Sequence, residues 1–393
     1  MKRVYLDHNA TTPLRVEARV AMIEAMELVG NPSSVHAEGR AAKMLVERAR
    51  AQVAELVGCR PQQVIFTSSA TEAAALAVAQ KGRHGGVFAA LPMEHDCLGV
   101  WSEREMVSLT GRDGALSPHG LSEFLNFVMG LSGDEWRDDR SPVALIAHSA
   151  ANSETGVLGL ESGQVVGSGR VSASRAGAIP YSTICDITQL AGKMPVTYGE
   201  VTPSYAILSA HKIGGPKGVG ALINFTADDP EPMLRGGGQE MNRRSGTENV
   251  IGMAGFGAAA QAAAVDVAAG KWEEIAQFRN ILEKAIAAAS EHTIFVGNSV
   301  ARLPNTSCIL TPGWKGETQV MQMDLAGFAV SAGSACSSGK VKASKVLLAM
   351  GYEEAEAASA IRVSLGLGTT KDDVLRFADA WVAKFEKHKM RAA

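Results

Sequence analysis

Short apolar runs alternate along this chain with longer segments rich in helix formers, the pattern of a mostly parallel sheet covered by helices on both faces. "QQVIFTSSA" (62–70) predicts a strand closing on a small-residue turn, and "TEAAALAVAQ" (71–80) predicts the helix that follows, started by Thr71 and Glu72. The form recurs in "PVALIAHSA" (142–150), "STICDITQLAG" (182–192) and "YAILSAHK" (205–212), which end near polar turns, Asp186 with Gln189, and Lys212. From about Gly252 to Ser290 the chain is alanine-rich with scattered charges, which predicts one long helix joining two units, and the last hundred or so residues read as a smaller α/β unit. There is no internal repeat. "GLESGQVVGSGRVSASRAGAIP" (159–180) has many glycines and serines with little periodicity and supports no helix.

In open parallel sheets ligands bind beyond the carboxyl ends of the strands, so the polar residues that follow these runs are expected to converge although they are distant in sequence. A chain of 393 residues exceeds the roughly 250–300 at which single cores stop growing, consistent with two units.

Charge narrows the partners. The 38 basic and 41 acidic residues leave a net charge of -3, with no electrostatic footprint for nucleic acid or an anionic membrane. The opening "MKRVYLDHNATTPL" reaches Asp7 and His8 before an apolar core develops, and no uninterrupted apolar run of about 18 residues follows, so a soluble, cytoplasmic protein is expected. Cys59, Cys97, Cys185, Cys308 and Cys336 are widely spaced and form no C-x-x-C pair; reduced thiols and no metal site are expected.

Four stretches carry candidate chemistry. In "SAHKIGGPKGVGAL" Lys212 follows an apolar run, where a lysine can lose enough basicity to act as a nucleophile; a solvated turn lysine is the alternative. The glycines lack the G-x-x-x-x-G-K-[ST] order of a P-loop. Asp186 in "CDITQ" ends an apolar run, a costly place for a carboxylate unless it meets a cation such as a protonated pyridine nitrogen. "TSSATE" reads either as a simple helix cap or as a phosphate site at a helix start. "SAGSACSSGK" (331–340) sets Cys336 among small residues suited to a mobile, exposed loop, either a reactive thiol or an ordinary loop cysteine. Lysine, buried acid and phosphate site together point to pyridoxal phosphate.

The chain resembles the cysteine desulfurases of the NifS/IscS class, pyridoxal-phosphate enzymes of fold type I. The resemblance rests on "YLDHNATTPL", "GNPSSVHAEGR", "FTSSATE", "MEH", "NSETG", "DITQLAGK", "SAHKIGGPKGVG", "GGGQEMNRRSGTEN", "LPNTS", "SAGSACSSGK" and "IRVSLG", which occur in the family's order nearly end to end. The chain departs from the family at Ser69 and Ala73–Ala75, at Ser153 where the family has "NNE", and over about 160–180, where a helical segment is usual.

The resemblance implies a large cofactor-binding domain over 15–257 and a small domain from 1–14 and 258–393. It implies that Lys212 forms the Schiff base, Asp186 pairs with the pyridinium nitrogen, Gln189 meets the phenolic oxygen and His95 stacks on the ring. Ala70, Thr71, Ser209 and His211 would hold the phosphate, joined by Thr247 from the second subunit of a homodimer. Arg362 would clamp the substrate carboxylate, with Asn152 near that carboxylate and the ring. L-cysteine would become L-alanine while Cys336 takes the sulfur as a persulfide and delivers it to an iron–sulfur scaffold or another acceptor protein. An aminotransferase would share the cofactor residues but have no use for Cys336; a selenocysteine lyase would share all of them; and a non-catalytic binding protein could keep the fold alone.

Overall fold

A computed structural model describes residues 3–102, 111–114, 144–159, 169–173, 177–333 and 343–392. Its central sheet runs in the order Val64–Thr67, Gly220–Asn224, Tyr205–Ser209, Gly177–Asp186, Leu145–Ser149, Phe88–Ala90. Three neighbouring pairings are parallel, and the Gly220–Asn224 strand is antiparallel to both of its neighbours. All the other strands of this path therefore point the same way, and their carboxyl ends share one edge.

The strands read as continuous apolar runs because both faces are buried. Val64, Phe66, Ala206, Leu208, Ala221 and Ile223 belong to one core, with Phe256, Ala259, Ala260 and Ala263 of the Val250–Ala268 helix. Ile65, Ile207 and Leu222 belong to the opposite core, with Ala73, Ala74, Leu76 and Ala77 of the Ala70–Val78 helix. The alternation by two along each strand sets the faces. The Val250–Ala268 helix is long and apolar enough to cross a membrane by length and composition, yet Met253, Phe256 and the alanines above spend its apolar side on the first core.

A second, antiparallel sheet orders Ser331–Ala332, Ala360–Ser364, Thr306–Leu310 and Ile294–Phe295. Ile309, Ile361 and Val363 face a core with Leu282, Phe377 and Trp381, whereas Cys308, Leu310 and Ala360 face Leu347 and Met350. The N-terminal strand Val4–Tyr5 pairs in parallel with Phe328–Ala329, which brings Asp7, His8 and Asn9 between the two sheets' residues.

Two local expectations are corrected and one, the absence of a helix in 159–180, is extended. The 252–290 segment is two helices, Val250–Ala268 and Lys271–Ala289, separated at Gly270, whose φ of 67° lies in the left-handed region that glycine adopts without steric cost. The irregular 159–180 stretch holds the strand Gly169–Ala173, antiparallel to the start of the Gly177–Asp186 strand, so small and β-branched residues form a ribbon. The first two residues of "SAGSACSSGK" are not exposed loop: Ser331 and Ala332 are buried strand, opposite Arg362 and Ile361.

Candidate active site

The shared carboxyl edge of the central sheet opens on a cavity of about 540 Å³. Ala70, Thr71, His95, Asn152, Asp186, Gln189, Ser209, His211, Lys212 and Arg362 all line it. Two predicted residues are not part of this set. Thr247 is exposed and lies outside the lining. Cys336 lies outside the described residues, although Gly333 and Ala343 on either side of its stretch line the cavity.

On one side, the chain leaves the Val64–Thr67 strand and starts the Ala70–Val78 helix. Ser69 caps it by accepting from the Glu72 N–H at 3.3 Å, and the Glu72 carboxylate accepts from the Ser68 N–H at 2.7 Å. Arg244 grips that carboxylate at 2.8 Å. The start of this helix fits against Gly220: a Cβ there would lie 2.5 Å from the Ser69 carbonyl carbon and 2.8 Å from the Ala70 nitrogen, so only glycine permits the approach. Burial and the neighbouring Lys212 and Lys217 charges push the His211 pKa down to about 4, which leaves its ring neutral at the cavity wall.

Lys212 closes a single turn of 3-10 helix, Ala210–Lys212, directly after the Tyr205–Ser209 strand. Its Nζ donates to the carbonyls of Asn9 at 2.7 Å and Ala10 at 2.9 Å. Gln189 donates to the same Asn9 carbonyl at 3.0 Å. Asp186, at the end of its strand, accepts from the Thr188 N–H through Oδ1 at 2.8 Å. His95 accepts from the Cys97 N–H at Nδ1, 3.1 Å away, which places the ring proton of the neutral form on Nε2. The Asn152 side chain is partly committed: its Oδ1 accepts from the Glu154 and Thr155 N–H groups at 2.9 and 3.0 Å, and its Nδ2 donates to the Met93 carbonyl at 3.1 Å.

Arg362 reaches the cavity from the second sheet. It donates to the Ser153 carbonyl at 3.2 Å and to Asp7 at 2.8 Å, while its buried Nε has no partner among the described residues. A buried guanidinium with a spare donor is suited to an incoming carboxylate.

Several buried polar residues of the site escaped the sequence reading. Asn9, 1% exposed, receives bonds from Lys212, Gln189, Lys193 and Asn305 and donates to Ser153 and Thr306. Lys193 is buried, and desolvation with the nearby Lys212 and Arg362 charges holds its pKa well below the usual lysine value. Glu94 accepts from the Ser149 N–H at 2.9 Å and from its hydroxyl, and burial raises its pKa to about 8. Glu154 accepts from the Ser344 hydroxyl, and burial raises it to about 7. Their motifs, "YLDHNATTPL", "DITQLAGK", "MEH" and "NSETG", were the only signal available.

The donor set fits pyridoxal phosphate. The hydroxyls of Thr71 and Ser209 make no hydrogen bond among the described residues, and the first N–H groups of the Ala70–Val78 helix have no partner within their own helix. Together they suit a phosphate. The buried Asp186 carboxylate suits a protonated ring nitrogen, and the Lys212 amine suits a carbonyl carbon.

The model of the aminotransferase class-V family matches residues 4–115 and 136–377. The cysteine desulfurase of Frankia sp. (strain EuIK1) is 38% identical, covering 96% of this chain and 90% of that protein. The chain belongs to the cysteine desulfurase family of class-V aminotransferases. That of Cereibacter sphaeroides is 37% identical over 96% of this chain and 95% of its own length. Among solved structures, the NifS-like protein of Rickettsia africae ESF-5 superposes with a TM-score of 0.80 at 30% identity, covering 98% of this chain and 99% of that one. The family is pyridoxal-phosphate-dependent and of fold type I, as the sequence motifs implied.

Proposed function

We propose that this chain is a cysteine desulfurase in which Lys212 carries the cofactor, Arg362 receives the substrate carboxylate, and Cys336 accepts the sulfur of L-cysteine as L-alanine is released. The observation that carries this reading is the convergence of Lys212, Asp186 and Arg362 on one cavity, with Gly333 and Ala343 at its wall beside the stretch that bears Cys336.

Lys212, Asp186, Gln189 and His95 would hold the cofactor ring, and Ala70, Thr71, Ser209 and His211 its phosphate. Bound pyridoxal phosphate supplies an electron sink for the pair left when the substrate's α-proton departs. Arg362 and Asn152 orient the substrate so that the Lys212 amine reaches that α-proton and removes it. The Cys336 thiolate attacks the substrate sulfur, forming an S–S bond as the carbon–sulfur bond breaks, and a proton replaces sulfur on the carbon. The other cysteines are poor rivals. Burial pushes the Cys59 thiol up to about 12 and raises Cys97, Cys185 and Cys308 as well, so all four stay protonated near neutral pH.

The persulfide would pass to an iron–sulfur scaffold or another sulfur-acceptor protein. A homodimer, with Thr247 completing the partner's phosphate site, agrees with the exposure of Thr247 and with the apolar residues Val16, Val20 and Ile23 left open on one helix. The free thiols of Cys59, Cys97, Cys185 and Cys308 suit the reducing cytoplasm.

Mass spectrometry after cysteine treatment tests the reading: one added sulfur is expected on the peptide containing Cys336. Cys336→Ala should keep its yellow cofactor yet release no alanine from cysteine. Wild-type turnover by that variant would rule Cys336 out as the nucleophile.

A further inference from the structure

Lys193 is a buried amine that bonds two residues of the site wall, Gln189 and Asn9, and none of the steps above employs it. Its side chain folds back over its own turn, and Nζ lies 2.7 Å from Gln189 Oε1, 3.1 Å from the Gln189 carbonyl oxygen and 3.4 Å from Asn9 Oδ1. No carboxylate is among these partners; its charged neighbours are Lys212 and Arg362, both of the same sign. Three oxygens surround this one nitrogen, so it meets them as a donor.

This arrangement settles the orientation of the Gln189 amide. The Asn9 carbonyl can only accept, so the amide turns its nitrogen to Asn9 and its oxygen to the Lys193 N–H. Asn9 cannot exchange roles in answer, because its own Nδ2 donates to the Ser153 carbonyl at 3.2 Å and to the Thr306 hydroxyl at 2.9 Å. One N–H of Gln189 then goes to the Asn9 carbonyl at 3.0 Å, and the second remains for the cavity that Gln189 lines.

We propose that Lys193 is a positioning residue that locks the Gln189 amide so that it offers the cofactor's phenolic oxygen a donor and never an acceptor. The inference rests on the placement of Gln189 at that oxygen proposed above. Without Lys193, Oε1 of the buried Gln189 has no donor among the described residues, and rotation of the amide to find one withdraws the N–H from the cavity.

A double-mutant cycle on the protein loaded with pyridoxal phosphate tests this, read by the visible absorption maximum and by the cofactor's dissociation constant. Gln189→Ala alone is expected to move the band and to weaken cofactor binding about tenfold. Lys193→Met is expected to move the band in the same direction, and the double variant to show no further movement, because the lysine acts through the amide. Lys193→Gln, which keeps an N–H near Oε1, is expected to shift the band less than Met does. It also serves in the cycle if the Met variant does not fold. An unmoved band in Gln189→Ala would overturn both the placement and the lock. A moved band in Gln189→Ala beside an unmoved one in the Lys193 variants, or full additivity in the double variant, would overturn the lock alone.

Discussion

Arg362 donates from Nη2 to Asp7 Oδ1 at 2.8 Å, and Asp7 Oδ2 accepts from the Ser331 hydroxyl at 2.7 Å. Ser331 is also the strand partner of Arg362. The guanidinium is therefore aimed before any substrate arrives, by an acid from the N-terminal segment and by the strand that leads toward Cys336. Such preorganisation lowers the ordering cost of binding. Arg362→Ala is expected to lower kcat/KM for cysteine roughly 100-fold, about 2.7 kcal/mol of lost interaction. Arg362→Lys should recover little, since an ammonium keeps the charge but cannot pair with a carboxylate through two parallel bonds. Steady-state assays of alanine release check both.

Gly220 is a second point where a small change should reach the cofactor. Its Cβ would meet backbone atoms of Ser69 and Ala70, which cannot rotate aside as a flexible side chain would. Gly220→Ala is expected to push the start of the Ala70–Val78 helix away from the sheet at a strain of about 1–3 kcal/mol. Titration of the cofactor-free protein with pyridoxal phosphate should show weaker binding, about tenfold or more. Substitution at Gly218, where a Cβ meets nothing within 4 Å but φ is 80°, should strain the loop without this direct clash.

The frame of this site was legible because its strands are buried on both faces. Residues 64–66, 144–147 and 205–208 are uninterrupted apolar runs, and polar residues just beyond them, Ser69, Ser149 and Ser209, line the cavity. The residues that tie the frame together were not legible. Asn9 looks like any loop asparagine until Ser153, Thr306 and Ser364 are brought to it from far along the chain. The partner of Arg362 is 355 positions away, and only the fold joins them. Gly270 was hidden for a different reason: an alanine-rich stretch on both sides favours helix, and one glycine inside it does not by itself announce a break.

Arg50 and Glu240 form a buried pair that supports the segment leading to Thr247. The guanidinium holds the carboxylate through two bonds of 2.7 and 2.8 Å, and Glu240 also accepts from the Phe66 N–H at 2.9 Å. Glu240, Met241 and Asn242 all have positive φ, at 49°, 59° and 66°, so this turn is held in a conformation that non-glycine residues avoid. Removing one partner of a buried pair leaves an uncompensated charge. Arg50→Ala is expected to cost about 3–5 kcal/mol, read as a lower midpoint in denaturant unfolding. Arg50→Ala combined with Glu240→Gln should recover part of that loss, because the stranded charge is gone.

The buried carboxyl of Glu94 gives the protein a stability that declines with alkalinity. Burial raises its pKa from 4.5 to about 8 in the folded chain, against opposing bonds from Ser149. The folded state thus holds this proton more tightly than the unfolded state does. The associated stability is complete below the unfolded value and is lost progressively as pH rises through the folded one. Glu154, raised to about 7 chiefly by burial, acts in the same direction. His8 and His211 act in the opposite direction: burial lowers both to about 4, so their stability is present above 6.5 and is lost as pH falls through 4. Between about pH 7.5 and 8.5 the histidine contributions are nearly constant, while Lys193, lowered by burial, opposes the carboxyls. Over that window the melting temperature of cofactor-free Glu94→Gln should shift upward with pH relative to that of the unsubstituted protein, because the Glu94 share of the decline is gone. A neutral amide can also accept from the Ser149 N–H, so its folded packing keeps that bond. An unchanged slope in Glu94→Gln would mean that Glu94 is already ionised in the folded protein at neutral pH.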